Sequence, residues 1–242
     1  MHCYFVLAGN SEIPVLYHVE RVRDGRSFAT RTVQARQRGR VIFTTTLSFV
    51  REGSAGRRTV EHATPMPALD PPVADVEGEA AAEKSRSPFV SRRLGILNED
   101  ASRPHMKRTR QWIKARGQIS PAGGHDAHLS ALAYMSDSYF IGTVARVHDL
   151  WRLPEQKETD RPRVGMMVSL DHTIYFHDAR GFRADEWMLS EMESPWAGDG
   201  RGLVLQRIFS KDGTLIATCV QEGLVRLKQD EEQAAEKAAS KL

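Results

Sequence analysis

Apolar and polar residues alternate over both ends of the chain, a strand pattern rather than a helix pattern. Val15–Arg23, Ala29–Ala35 and Val41–Val50 are rich in β-branched and aromatic residues. Asp24-Gly25-Arg26 and Arg38-Gly39 separate them, so they predict three strands joined by tight turns. A second set repeats the order: Glu186–Glu193, then Asp199-Gly200-Arg201, then Leu203–Phe209, a turn at Lys211-Asp212-Gly213, and Leu215–Leu227. Each set follows a further apolar run, Cys3–Ala8 in the first and Val164–Phe176 in the second. Self-similarity of this kind predicts two copies of one supersecondary unit.

The second block contains more than the first. A strand is expected at Trp112–Ile119 and a helix at Asp126–Ile141, whose apolar residues Leu129, Leu132, Ala133, Met135, Tyr139 and Phe140 recur at roughly helical spacing. The first block has no counterpart to either, because Met1 falls where they would already have been. The reading therefore expects an N-terminally truncated first unit. Pro65–Arg103 is rich in Pro, Ala, Glu and Ser, with Phe89 its one aromatic residue, and predicts a partly disordered linker. These shifts divide the chain into an N-terminal unit (1–64), a linker (65–110), a C-terminal unit (111–228) and an exposed tail (229–242). The pattern is that of a duplicated α+β fold.

Composition narrows the function. A chain of 242 residues can bury one large core or two of ordinary size. No stretch approaches the roughly 20 apolar residues of a membrane span. The net charge of +3 is small and the arginines are dispersed, so no basic face with interleaved aromatics suggests nucleic acid. Cys3 and Cys219, far apart within apolar runs, read as buried free thiols.

Three positions could carry chemistry. Asp137 falls on the apolar face of the expected helix, between Ala133 and Phe140, where lost hydration would favour a base; the alternative is a solvated cap at a helix end. Val168–His177, read as one strand, alternates Ser169, Asp171, Thr173 and Tyr175 against Leu170, His172, Ile174 and Phe176. That parity puts His172 and His177 on opposite faces, against a shared metal site, and both read as structural hydrogen-bonding groups. Gln221 aligns with Leu47 when Gly39 is matched to Gly213, so one copy has an amide where the other is apolar. A buried Gln must find partners for both ends of its amide; an edge-strand Gln would face solvent. There is no Gly-x-Ser-x-Gly elbow, Walker loop, dinucleotide fingerprint or zinc spacing, and no cofactor is expected.

The segments His2–Val6, Ile13–Phe49, Tyr134–Thr143, Ser169–His177, Glu193–Leu203 and Asp212–Gly223 together resemble the acyl-CoA thioesterase II family, in its peroxisomal eukaryotic branch. The resemblance covers both blocks but not the linker. It implies a double hotdog, two helix-on-antiparallel-sheet units, that hydrolyses acyl-CoA to fatty acid and CoA. It also implies a catalytic Asp, Ser or Thr, and Gln, matching Asp137, Ser169 and Gln221, all in the second block. The missing front of block one leaves these residues intact and puts any pocket that block lines in question. The rival readings are a non-catalytic acyl-CoA-binding protein, an enoyl-CoA hydratase and an interaction protein that uses the basic linker to meet an anionic partner. The hydratase needs an Asp/His pair across one pocket, and adjacent Asp171 and His172 are oppositely directed.

Ser240-Lys241-Leu242 is a receptor-read peroxisomal address, at the end of a charged, Ala-rich tail. It predicts a peroxisomal matrix protein that meets an import receptor. Hotdog units commonly pair edge to edge, so a homodimer is expected.

Overall fold

The computed structural model describes residues 1–72, 87–150 and 162–229. Eleven strands among them form one antiparallel sheet: β1 (His2–Phe5), β2 (Leu16–Asp24), β3 (Phe28–Gln37), β4 (Arg40–Val50), β5 (Phe89–Leu97), β6 (Arg108–Ala115), β7 (Val164–Ser169), β8 (Asp171–Phe176), β9 (Met188–Gly198), β10 (Arg201–Phe209) and β11 (Leu215–Leu227). The order is β2-β3-β4-β1-β8-β11-β10-β9-β6-β5, with β7 also on β11. Read outward from the β1–β8 seam, the two halves run β1-β4-β3-β2 and β8-β11-β10-β9. The expected repeat is thus a repeat of topology.

Its detail is shared as well. The β3–β4 ladder slips between Ala35 and Arg36, and the β10–β11 ladder between Ile208 and Phe209. The β2–β3 ladder slips between Arg21 and Arg23, and β10–β9 between Leu203 and Leu205. Bulges bend strands at defined places, so matching bulges give both halves the same curvature. At the seam Cys3 pairs with His172 and Tyr4 with Asp171, which makes the two units one continuous sheet.

Two helices cover the second unit, α1 (Gly124–Ser136) and α2 (Gly142–Val147). Leu132, Met135, Phe140, Ile141 and Val144 pack on Ile113, Ile174, Met192, Val204 and Cys219 in one buried cluster. Burying a side chain the size of Phe140 contributes about 1.5–3 kcal/mol. The opposite face of this sheet holds Trp112, Leu189 and Phe209, against which Met66 and Leu69 pack. In the first unit, by contrast, Leu16, Tyr17, Val19, Val22, Phe28, Phe49 and Val50 are exposed, and no helix lies among its described residues.

Several sequence expectations shift. The segment 65–110 is not a linker throughout: Phe89–Leu97 is a strand paired with β6, and β6 itself starts at Arg108. The β5–β6 ladder slips between Arg93 and Ile96, which interrupts the alternation that would have announced β5. The strand expected at Trp112–Ile119 ends at Ala115, before Gly117 at φ +73°. The expected helix 126–141 breaks at Asp137, and Tyr139, at φ +60°, turns the chain back toward the sheet. The tail residues 230–242, with the Ser240-Lys241-Leu242 signal, lie outside the described residues, as do 73–86 of the expected linker.

Candidate active site

The C-terminal end of α1 comes down on β11. Asp137 is the C-cap of α1, its backbone N–H donating to Met135 O, and its side chain is exposed. Of the two sequence readings, the cap is the correct one, because the helix stops at Ser136. Gln221, fully buried at 0% exposure, donates from Nε2 to Asp137 Oδ1 at 2.5 Å. Two of the three candidate residues therefore touch, although 84 positions separate them in the chain.

This approach depends on two glycines. A Cβ at Gly223 would lie 2.6 Å from Ile141 Cγ1 and 2.8 Å from Val168 O; one at Gly202 would lie 2.6 Å from Val144 Cγ2. Real Cβ atoms essentially never come so close. Glycine on β10 and β11 lets the turn after α1, and α2 behind it, sit on the sheet. Asp137 is carried with them.

The third candidate, Ser169, corrects the parity argument. Ser169 pairs with Gly223 and Thr173 with Val220. Four steps along one strand are thus matched by three along the other, and the extra residue is a bulge at Leu170-Asp171. Leu170 N–H donates to Glu222 O at 2.9 Å, and Glu222 N–H donates to Asp171 Oδ1 at 2.6 Å, so the bulge is well bonded. A one-residue slip exchanges the faces of a strand. Ser169 consequently shares the α1 face with His172, Ile174 and Gln221, while Asp171 and Thr173 line the other face beside His2, Tyr4, Thr44 and Thr46. Ser169 is half-buried, and no described side chain hydrogen-bonds its hydroxyl.

His172 belongs to the same constellation. It is 3% exposed, with Nε2 2.9 Å from Ser136 Oγ and Nδ1 3.3 Å from Gln221 Nε2, and its ring stands edge-on to Phe140. Burial pushes the imidazole below its ordinary pKa, with Asp137 and Asp171 opposing. The apolar alternation Leu170, His172, Ile174, Phe176 was the available signal for its burial. His177 is exposed and hydrogen-bonds Thr218 Oγ1 at 2.8 Å, away from this group. Burial raises both thiols, Cys3 to about 11 and Cys219 to about 12, which leaves neither as a thiolate nucleophile near neutral pH.

A carboxylate, an amide and a hydroxyl on one face of a helix-covered antiparallel sheet can orient and deprotonate a water. The duplicated antiparallel sheet, covered by helices among the described residues of its second unit, is a double hotdog. The acyl-CoA thioesterase N-terminal domain matches residues 1–50 and the C-terminal domain residues 63–225. The chain belongs to the acyl-CoA thioesterase II family. It is 39% identical over 248 residues to acyl-coenzyme A thioesterase 8 of Mus musculus, covering 94% of this chain and 72% of the relative. Acyl-CoA thioesterase 2 of Haemophilus influenzae is 33% identical over 245 residues, covering 94% and 79%. The crystal structure of an acyl-CoA thioesterase II from Mycobacterium marinum superposes with a TM-score of 0.71 at 34% identity, covering 95% of this chain and 80% of that one.

Proposed function

We propose that the protein hydrolyses fatty acyl-CoA to free fatty acid and CoA by direct attack of water on the thioester carbonyl. Asp137 takes a proton from the water, whose oxygen bonds the carbonyl carbon. The tetrahedral intermediate then expels the CoA sulfur, which receives that proton from Asp137, so the carboxylate is regenerated. Gln221 and Ser169 hold the water in line. The observation that carries this reading is the Gln221–Asp137 hydrogen bond, which brings a buried amide onto an exposed carboxylate where the end of α1 meets β11. Ser169 supplies a positioning hydroxyl rather than a nucleophile, since no described base hydrogen-bonds it.

The reaction takes place in the peroxisomal matrix. Ser240-Lys241-Leu242 supports this, and a relative 24% identical over 283 residues bears the name peroxisomal acyl-coenzyme A thioester hydrolase 1, from Saccharomyces cerevisiae. The protein works as a homodimer, which would cover the apolar residues exposed on the first unit. Sedimentation of the purified chain as a monomer at micromolar concentration would contradict that assembly.

The decisive assay is release of free CoA thiol from short, medium and long acyl-CoAs. Asp137→Asn and Gln221→Ala should each lower kcat by roughly 10²–10⁴ in folded protein. Acyl-CoA binding without thiol release by the unaltered chain would mark it as a non-catalytic binder.

A further inference from the structure

Gln221 has two faces to its amide, and a water-holding role requires a particular one to be free. Its Nε2 meets two acceptors, Asp137 Oδ1 at 2.5 Å and His172 Nδ1 at 3.3 Å. Its Oε1 is buried and has no hydrogen-bond partner. The reverse amide orientation would point Oε1 at a carboxylate oxygen and a ring lone pair, three acceptors with no hydrogen among them. The Asp137 carboxylate and a bare Nδ1 on His172 together hold the amide in place.

The tautomer of His172 is in turn fixed from behind. Ser136 Oγ donates its one hydrogen to Ala133 O at 2.8 Å, the i−3 carbonyl of α1. It can then only accept from His172, so the ring proton sits on Nε2, 2.9 Å from Ser136 Oγ. Nδ1 is left as the acceptor that faces Gln221. The chain of donors runs Gln221, His172, Ser136, Ala133, and every group in it except the carbonyl is at most 3% exposed.

We propose that His172 is a positioning residue of this thioesterase: its Nε2–H tautomer, set by Ser136, locks the Gln221 amide so that Nε2 holds Asp137 and Oε1 is left to accept a hydrogen of the attacking water. The proposal rests on the roles given above to Asp137 and Gln221. A buried amide oxygen is costly to leave unpaired, so a water there is a favoured ligand. The charged groups that act on the ring are Asp137 at the end of α1, Asp171 from the other face of its own strand and the Met1 amino group from the seam strand; Cys3 is its cross-strand neighbour. Burial outweighs the two carboxylates, so the ring stays neutral and Nδ1 stays an acceptor.

Two substitutions separate a positioning role from a packing role. Asn places its Oδ1 where Nδ1 stands and keeps an acceptor toward Gln221; Gln reaches the place of Nε2 and does not. In thiol-release assays His172→Gln should lose about 100-fold in kcat with little change in KM, and His172→Asn should recover most of that loss. The nitrogen-15 histidine spectrum of the unaltered chain should contain one ring in the Nε2–H form, absent from His172→Asn. Equal kcat losses in both variants, parent-level kcat in folded His172→Gln, or an Nδ1–H ring would overturn the proposal. If His172→Gln does not fold, the tautomer decides alone. Full activity in Asp137→Asn would sink the underlying reading of the site, an outcome separate from any result at His172.

Discussion

Asp137, Gln221 and His172 meet, and Ser169 shares their face of the sheet, for different causes. Asp137 is delivered by a helix end, Gln221 by an inward strand position, and Ser169 by a bulge that turns it to the same face. His172, buried below its ordinary value of 6.5, links the site to stability. As pH falls, the unfolded chain takes up that proton before the folded one does. The imidazole's contribution is therefore complete above its unfolded value and is lost as pH drops toward the folded one. His148, lowered by burial and then by Lys107, acts in the same direction. Melting temperature should fall between pH 7 and pH 5, and fall less in His172→Asn; a profile identical in the two proteins would contradict the assignment. The thiols give a simpler prediction. With Cys3 near 11 and Cys219 near 12, alkylation of native protein at pH 8 should be slow and should leave activity intact.

At the scale of elements, the strands of both repeats were legible because alternation and Gly turns survive in the sequence. Leu215–Leu227 was read with its observed bounds. The end of α1 was not, since Tyr139 and Phe140 continue an apolar spacing past the point where Tyr139 enters the left-handed region. The bulge at Leu170-Asp171 left no trace in Val164–Phe176 either, because its cause is the partner strand β11. Strict parity therefore separated Ser169 from His172, and only the ladder reunites them. Asp137, Ser169 and Gln221 were identified through their surrounding segments rather than by periodicity. The close contact of Ile141 with Gly223 makes one element-level prediction. Gly223→Ala should cost about 1–3 kcal/mol in denaturant unfolding, as overpacking does. It should also lower kcat by lifting Asp137 from Gln221. Unchanged stability would mean that the turn after α1 yields freely.

For the whole molecule, the sheet order and paired bulges make the two units copies of one design, while the proposed catalytic residues all lie in the second. Leu47, half-buried on β4, occupies the place that Gln221 holds on β11. A shared topology with an unshared amide follows from the physics: packing positions tolerate apolar side chains of several kinds, whereas orienting water requires a particular donor and acceptor. A fluorescent protein fused to the N-terminus should accumulate in peroxisomes, and removal of Leu242 should leave it diffuse; unaltered import would discount the tripeptide as the address.

In the proposed mechanism Asp137 delivers water to the thioester and does not itself attack the carbonyl. A single turnover in oxygen-18 water, with enzyme in excess over acyl-CoA, tests this directly. Direct water attack predicts solvent oxygen in every fatty acid released in that first turnover. Fatty acid free of label, with the heavy oxygen found in the Asp137 carboxylate, would show a covalent anhydride and contradict it.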